Sequence, residues 1–144
     1  MIEVLGPAEI YKGGRYMPVT EEFQQKFDHD LEFGRLGEDF VKAFQDKNNK
    51  VEVKTERDMW KNTGNIAIEI RCRGKLSGLS VTDAETWIHL LSYNNVIEGG
   101  FIFKTSLLKE KIKKLHNEGN LKLTMGGDDK MSQMALLPIK DLFD

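Results

Sequence analysis

The chain has 144 residues, a length that suits one domain with a single hydrophobic core. It is 40% hydrophobic and 31% charged, the balance of a globular protein in water, and no apolar run approaches the roughly 20 residues that span a bilayer. The net charge of −2 offers nucleic acid no bulk attraction, so such a partner needs a local basic patch, and the lone Cys72 excludes an intrachain disulfide and a cysteine-based zinc site.

In chain order, residues 1–22 read as an N-terminal extended segment. Its short apolar runs are broken by Gly6-Pro7, Gly13-Gly14 and Pro18, and a hairpin is expected across Lys12 to Arg15. The start, MIEVLGPAEIY, lacks the basic opening and apolar middle of a signal peptide, which points to a cytoplasmic protein without membrane contact. Phe33, Leu36, Phe40, Val41 and Phe44 recur at helical spacing and predict a helix from about Phe33 to Phe44. Asn48-Asn49 then turns the chain into KVEVKTERDMWKNTGNIAIEIRCR, Lys50 to Arg73. This reads as two strands joined by a connection at 56–64, with Gly64 as a turn residue. Cys72 falls on the apolar side of the second strand and reads as a buried, inert thiol.

After the loop GKLSGLSVT, Thr82 and Glu85 form a capping-box pattern. Ala84, Trp87, Ile88 and Leu91 supply the stripe of a helix from about Asp83 to Ser92. Phe101-Ile102-Phe103 suits a buried central strand. Ser106 reads as the cap of a further helix with Leu107, Leu108, Ile112 and Leu115 inward. A C-terminal hairpin at 120–140 closes the chain, with strands at Leu121–Thr124 and Ala135–Ile139. The order predicts a single α/β domain over 1–144, with a core at about 30–117 and helices flanking a mixed central sheet.

In the charged segment, Val51 and Val53 alternate with Glu52 and Lys54, and Ile66, Ile68 and Ile70 alternate with Ala67, Glu69 and Arg71. If the two strands pair, Glu52, Lys54, Glu69 and Arg71 share one face. Oxygen ligands without clustered His or Cys favour a hard cation, Mg²⁺ or Mn²⁺. Such an ion activates water and neutralises a phosphate oxygen, and Lys54 on the same face can orient the water or stabilise the phosphorane. Glu38, at the edge of the first helix's stripe, is a third candidate carboxylate. The competing reading is a charge pair on a solvated sheet face.

Glu38 on a helix, EVK on a strand, a second acid-bearing strand, a loop and a crossover helix together resemble the PD-(D/E)XK nuclease superfamily, whose fold is restriction-endonuclease-like. EVKTERD, TGNIAIEI and GKLSGLSVTDAETWIHLL further resemble its small phage-type, Holliday-junction-resolvase-like members, over about residues 30–105. The resemblance implies a Mg²⁺- or Mn²⁺-dependent nuclease cutting DNA, with branched or recombining DNA among the candidate substrates, and a homodimer in many relatives. Two alignments stand. In one, Glu52-Val53-Lys54 is the (D/E)XK motif and Asp46, Asp58 or Glu69 supplies the first acid. In the other, which fits the strand order better, Glu52 is the first acid, Glu69 the second, and Arg71 stands in place of lysine. In both, Glu52 and Glu69 ligate the metal and Glu38 assists.

Around that site Arg57, Lys61, Arg73, Lys75 and Ser77 are candidate nucleic-acid contacts, as is the run KEKIKK from Lys109. Trp60, in a polar connection, is a better ligand-contacting candidate than Trp87, which reads as core. Two rival readings are a non-catalytic nucleic-acid-binding or structural module on the same fold, and a small α/β protein-interaction domain.

Overall fold

A computed structural model describes residues 9–12, 15–18, 20–127 and 130–144. The extended structure expected at residues 1–8, 13–14 and 19, and part of the loop at 128–129, lies outside the described residues. The chain divides into two compact units, Met1–Asp46 and Lys47–Asp144.

In the first unit, β1 (Glu9–Lys12) pairs antiparallel with β2 (Arg15–Pro18), with Lys12 opposite Arg15 as the hairpin reading required. Helix α1 (Glu21–Lys42) begins twelve residues before the expected start at Phe33. Its first half carries Phe23, Phe27 and Leu31 at i, i+4 and i+8, a helical spacing that the sequence reading passed over. It is helical through Glu, Gln and Lys propensity and through Gln24 Nε2 donating to Asp28 Oδ1 one turn on. Glu21 and Glu22 in the first turn and Lys42 in the last complement the helix dipole.

In the second unit two sheets form. The three-stranded sheet has the order β3 (Val51–Glu56), β6 (Thr86–Tyr93), β7 (Val96–Lys104). The four-stranded sheet has the order β5 (Lys75–Leu76), β4 (Asn65–Cys72), β9 (Ser132–Pro138), β8 (Lys122–Gly126). A short helix α2 (Met59–Thr63) links β3 to β4, and α3 (Thr105–Asn117) follows β7. The α/β class and the mixed pairing agree with the sequence: β3 runs parallel to β6, and β6 antiparallel to β7. The core lies where Ile66, Ile68 and Leu137 of one sheet meet Trp87, Leu91 and Phe103 of the other, with Leu79, Leu108 and Leu142.

Three expectations are corrected. Residues 86–93 form a strand, so no crossover helix exists there. Thr82 caps nothing helical; its Oγ1 accepts the Ala84 N–H at 3.2 Å in a local turn, while the Glu85 N–H bonds the Lys50 carbonyl. The stretch is rich in β-branched and aromatic residues, and Asn94-Asn95, both at positive φ, closes a two-residue hairpin of the type such strands favour. The Phe101–Phe103 strand is an edge strand, with Ile102 exposed, because β6 takes the centre. Helix α3 begins at Thr105 without a side-chain cap, Ser106 lies within its first turn, and Leu107 points out while Leu108 is buried.

Candidate functional site

The strands bearing Glu52 and Glu69 do not pair. β3 hydrogen-bonds to β6, and β4 to β9 and β5, so the two acids belong to different sheets. The reason is that alternation fixes which face a side chain takes, whereas partner choice depends on segments far along the chain. Glu69 Oε1 accepts the Ser132 hydroxyl at 2.6 Å across to β9, which occupies it structurally. Glu38 is an exposed residue of α1 in the first unit.

On β3 the charged face remains intact. Lys54 Nζ lies 2.8 Å from Glu52 Oε1, with both side chains more than a third exposed, and 5.9 Å from the centre of the Trp87 ring. Register places Glu52 opposite Trp87 and Lys54 opposite His89, so these charges share the side of the sheet on which β6 is buried. The same parity continues to Glu56, which the sequence reading overlooked. Glu56 Oε1 accepts the Ala67 backbone N–H and meets His89 Nε2 at 3.0 Å. The Trp87 indole N–H, which can only donate, reaches His89 Nδ1 at 3.2 Å. His89 therefore carries its ring proton on Nε2 and donates it to Glu56. The Ser92 hydroxyl bonds the Glu56 carbonyl at 2.6 Å, and the Trp60 indole bonds the Ser92 carbonyl at 2.7 Å. This network ties β3, β6, α2 and the edge of β4 together, so Glu56 and His89 serve the junction of the two sheets. Their signal was present as the repeat Glu52-Lys54-Glu56 and as a histidine inside WIHLL.

Arg71 is not beside Glu69. A bulge in β4 falls between them: Glu69 opposes Met134, and Arg71 opposes Gln133, two neighbours on β9 that face opposite ways. Arg71 thereby turns to the core side of the four-stranded sheet, toward α3. There Arg71, Lys109, Lys113 and His116 line one cleft of about 450 Å³ over a floor that includes Leu79, Ile112 and Leu123. No Asp or Glu lines it among the described residues. Lys109 Nζ donates to the Thr82 carbonyl at 3.1 Å, which holds that end of α3 beside the loop.

The other expected nucleic-acid contacts scatter. Lys61 is paired with Glu98 at 2.7 Å and sits 3.9 Å above the Tyr93 ring. Arg57 borders a separate cavity near α2. Arg73 and Lys75 are exposed at the β4–β5 turn, and Arg73 holds φ +52°. The Ser77 hydroxyl is buried and has no hydrogen-bond partner among the described residues. Trp60 is half-buried against the core rather than displayed, and Cys72 is a half-buried free thiol.

The overall charge hides an asymmetry. Residues 47–144 carry 16 Lys and Arg against 13 Asp and Glu, a net of +3, and residues 1–46 carry five against ten, a net of −5. The basic patch that a nucleic-acid partner requires thus has a place in the second unit.

No protein-family model, curated protein or solved structure matches this chain. Among the described residues no three His, Cys, Asp or Glu side chains gather so as to hold a metal ion. Glu52 and Glu69 stand on strands of separate sheets, so strand pairing does not bring them together as ligands for Mg²⁺ or Mn²⁺. No helix among the described residues is long and apolar enough to cross a membrane.

Proposed function

We propose that this chain binds nucleic acid, DNA in the first instance, through the cleft between α3 and the four-stranded sheet, without the two-carboxylate metal site expected from the sequence. One observation supports this reading: the bulge in β4 brings Arg71 to Lys109, Lys113 and His116 around a cleft with no acid in its lining. Guanidinium and ammonium groups so clustered attract phosphate, and counterion release makes such binding steeply salt-dependent. No Phe, Tyr or Trp lines the cleft among the described residues, and His116 is its one ring, so it offers bases little stacking surface. Contact with the backbone, and hence weak sequence preference, follows.

The test is fluorescence anisotropy with a short labelled duplex at several salt concentrations. The logarithm of the binding constant should fall linearly with the logarithm of salt. Arg71→Ala, Lys109→Ala and Lys113→Ala should each lower the slope by about 1. Lys61→Ala, whose charge is already met by Glu98, should leave it unchanged. Binding that ignores all three cleft substitutions sinks the proposal. A second reading, metal-dependent cleavage, retains the support of the Glu52–Lys54 pair on β3. Nicking of supercoiled DNA with Mg²⁺ or Mn²⁺ that Glu52→Gln abolishes would favour it.

A further inference from the structure

Strand β7 forms one margin of the three-stranded sheet, and among the described residues it pairs with β6 and no other strand. A strand so placed leaves a row of N–H and C=O groups without a ladder partner. Proteins blunt such edges with short length, charge or proline. Here β5 has two residues, β8 has five, and β3 carries Glu52 and Lys54. β7 has nine residues, all exposed except Phe101 and Phe103. Between Glu98 and Lys104 it runs Gly99-Gly100-Phe101-Ile102-Phe103, with neither charge nor proline. The register with β6 shifts at Glu98, and from Gly99 to Lys104 the ladder is regular.

The segment Glu98–Lys104 complements itself. A second copy laid antiparallel about a two-fold axis at Phe101 sets Glu98 opposite Lys104, Gly99 opposite Phe103 and Gly100 opposite Ile102, and each pairing occurs twice. Side chains on opposite strands share a face only if that axis passes through a residue. An axis at Gly100 would leave Glu98 against Ile102, and one at Ile102 would leave Lys104 against Gly100. Only the axis at Phe101 joins opposite charges. Lys104 is exposed, and among the described residues its side chain has no partner. Glu98 meets Lys61, but a carboxylate has lone pairs for a second cation. A large apolar side chain across the ladder also offsets the weakness of glycine in a strand. A Cβ at Gly99 would meet nothing within 4 Å, so the space beside it is open, and Ile102, 42% exposed, gains cover.

We propose that β7 is the docking edge for a second copy of this chain, which joins the two three-stranded sheets into one continuous sheet. The outer margins of that sheet are the two β3 strands. Their Glu52 and Lys54 oppose further strand addition, so assembly stops at a dimer. Edge pairing buries little side-chain surface, so the dimer is a weak one that forms with rising concentration. The inference rests neither on DNA binding at the cationic cleft nor on the nuclease resemblance.

The experiment is sedimentation velocity on the 144-residue chain, from about 5 μM to about 0.5 mM, where a weak dimer populates. A monomer–dimer equilibrium is expected. Lys104→Glu sets two carboxylates opposite each other, and Glu98→Lys sets two ammonium groups. Each should raise the dimer Kd by at least about tenfold. An equal mixture of the two variants should associate again, because each supplies the charge that the other lacks. Both positions are exposed, so the variants should keep the parent's thermal midpoint, measured alongside. Hydrogen exchange on the parent needs no variant: amides within Gly99–Phe103 should gain protection as concentration rises. A chain that stays monomeric throughout overturns the proposal. So does a dimer that neither substitution weakens, folded variants that stay monomeric when mixed, or a dimer whose β7 amides exchange as fast as the monomer's.

Discussion

Gly78 holds the loop before β6 against the bulge of β4. Its φ is +53°, and a Cβ placed there would lie 2.3 Å from the Glu69 carbonyl oxygen. The neighbouring Ser77 N–H bonds the Ile70 carbonyl at 3.1 Å, so the loop cannot simply drift away. Gly78→Ala should therefore destabilise by about 2–4 kcal/mol, combining the left-handed backbone penalty with steric overlap. Gly99→Ala, where an added Cβ meets nothing within 4 Å, should shift the urea midpoint little. Equal midpoints for the two variants would mean that the loop packs otherwise. A second residue-scale pair is Lys50 with Asp83, whose side chains bond at the entry to β6. That hydrogen bond, and then the Lys50 charge, hold the Asp83 carboxyl below its usual value, and the same two causes raise Lys50. Folded-state lowering of an acid stabilises above its unfolded pKa and is lost as pH falls through the folded value. Raising of a lysine stabilises below its unfolded pKa and is lost as pH rises through the folded value. The pair thus acts across neutral pH, and because it is fully exposed salt screens it. Any midpoint difference between the parent and Asp83→Asn should vanish below the Asp83 titration and in molar salt.

At the scale of elements, the β6–β7 hairpin turns on Asn94 and Asn95, at φ +49° and +64°. Asn95→Gly should hold or raise stability, and Asn95→Val should lower it by about 1–2 kcal/mol, because a β-branched side chain resists positive φ. If residues 83–92 were helical instead, neither change would act on a turn, and the valine variant would unfold at the parent's midpoint. The error in the sequence reading has a specific origin. Trp87 and Leu91 are four residues apart, a spacing that puts them on one face of a helix and also of a strand. His89, buried between them at 2% exposure, breaks the tie toward the strand, as does the Asn-Asn turn. By contrast β3, β4 and the C-terminal hairpin were legible, because strict alternation in VEVK and IAIEI admits only one period. Their partners were not: Val51 pairs with Thr86 and Asn65 with Pro138, and nothing local encodes such separations. The candidate site inherited both outcomes. Glu52 and Lys54 meet because one strand carries them, Glu52 and Glu69 are not strand neighbours because two sheets carry them, and Arg71 changes face through a bulge that alternation cannot reveal.

For the whole molecule, charge and core are distributed unequally. Among the described residues, every member of the buried cluster, from Ile66 to Leu142, and every residue of the cationic cleft belong to the second unit, which is also the basic one. The first unit contributes a net of −5, from five Lys and Arg against ten Asp and Glu. Removing residues 1–46 should thus leave a chain that unfolds cooperatively, since the hydrophobic burial that drives folding is retained. That chain should bind duplex DNA at least as tightly as the 144-residue chain at low salt, because the acidic unit no longer adds repulsion to the approach of phosphate. The advantage should shrink as salt rises and the Debye length falls to about 10 Å at 0.1 M. Anisotropy titrations of both proteins against the same duplex, at matched salt, measure this difference. A trimmed protein that folds but binds no DNA, while the 144-residue chain does, would place the contact surface in the first unit and rule out the cleft of Arg71, Lys109 and Lys113 as its seat.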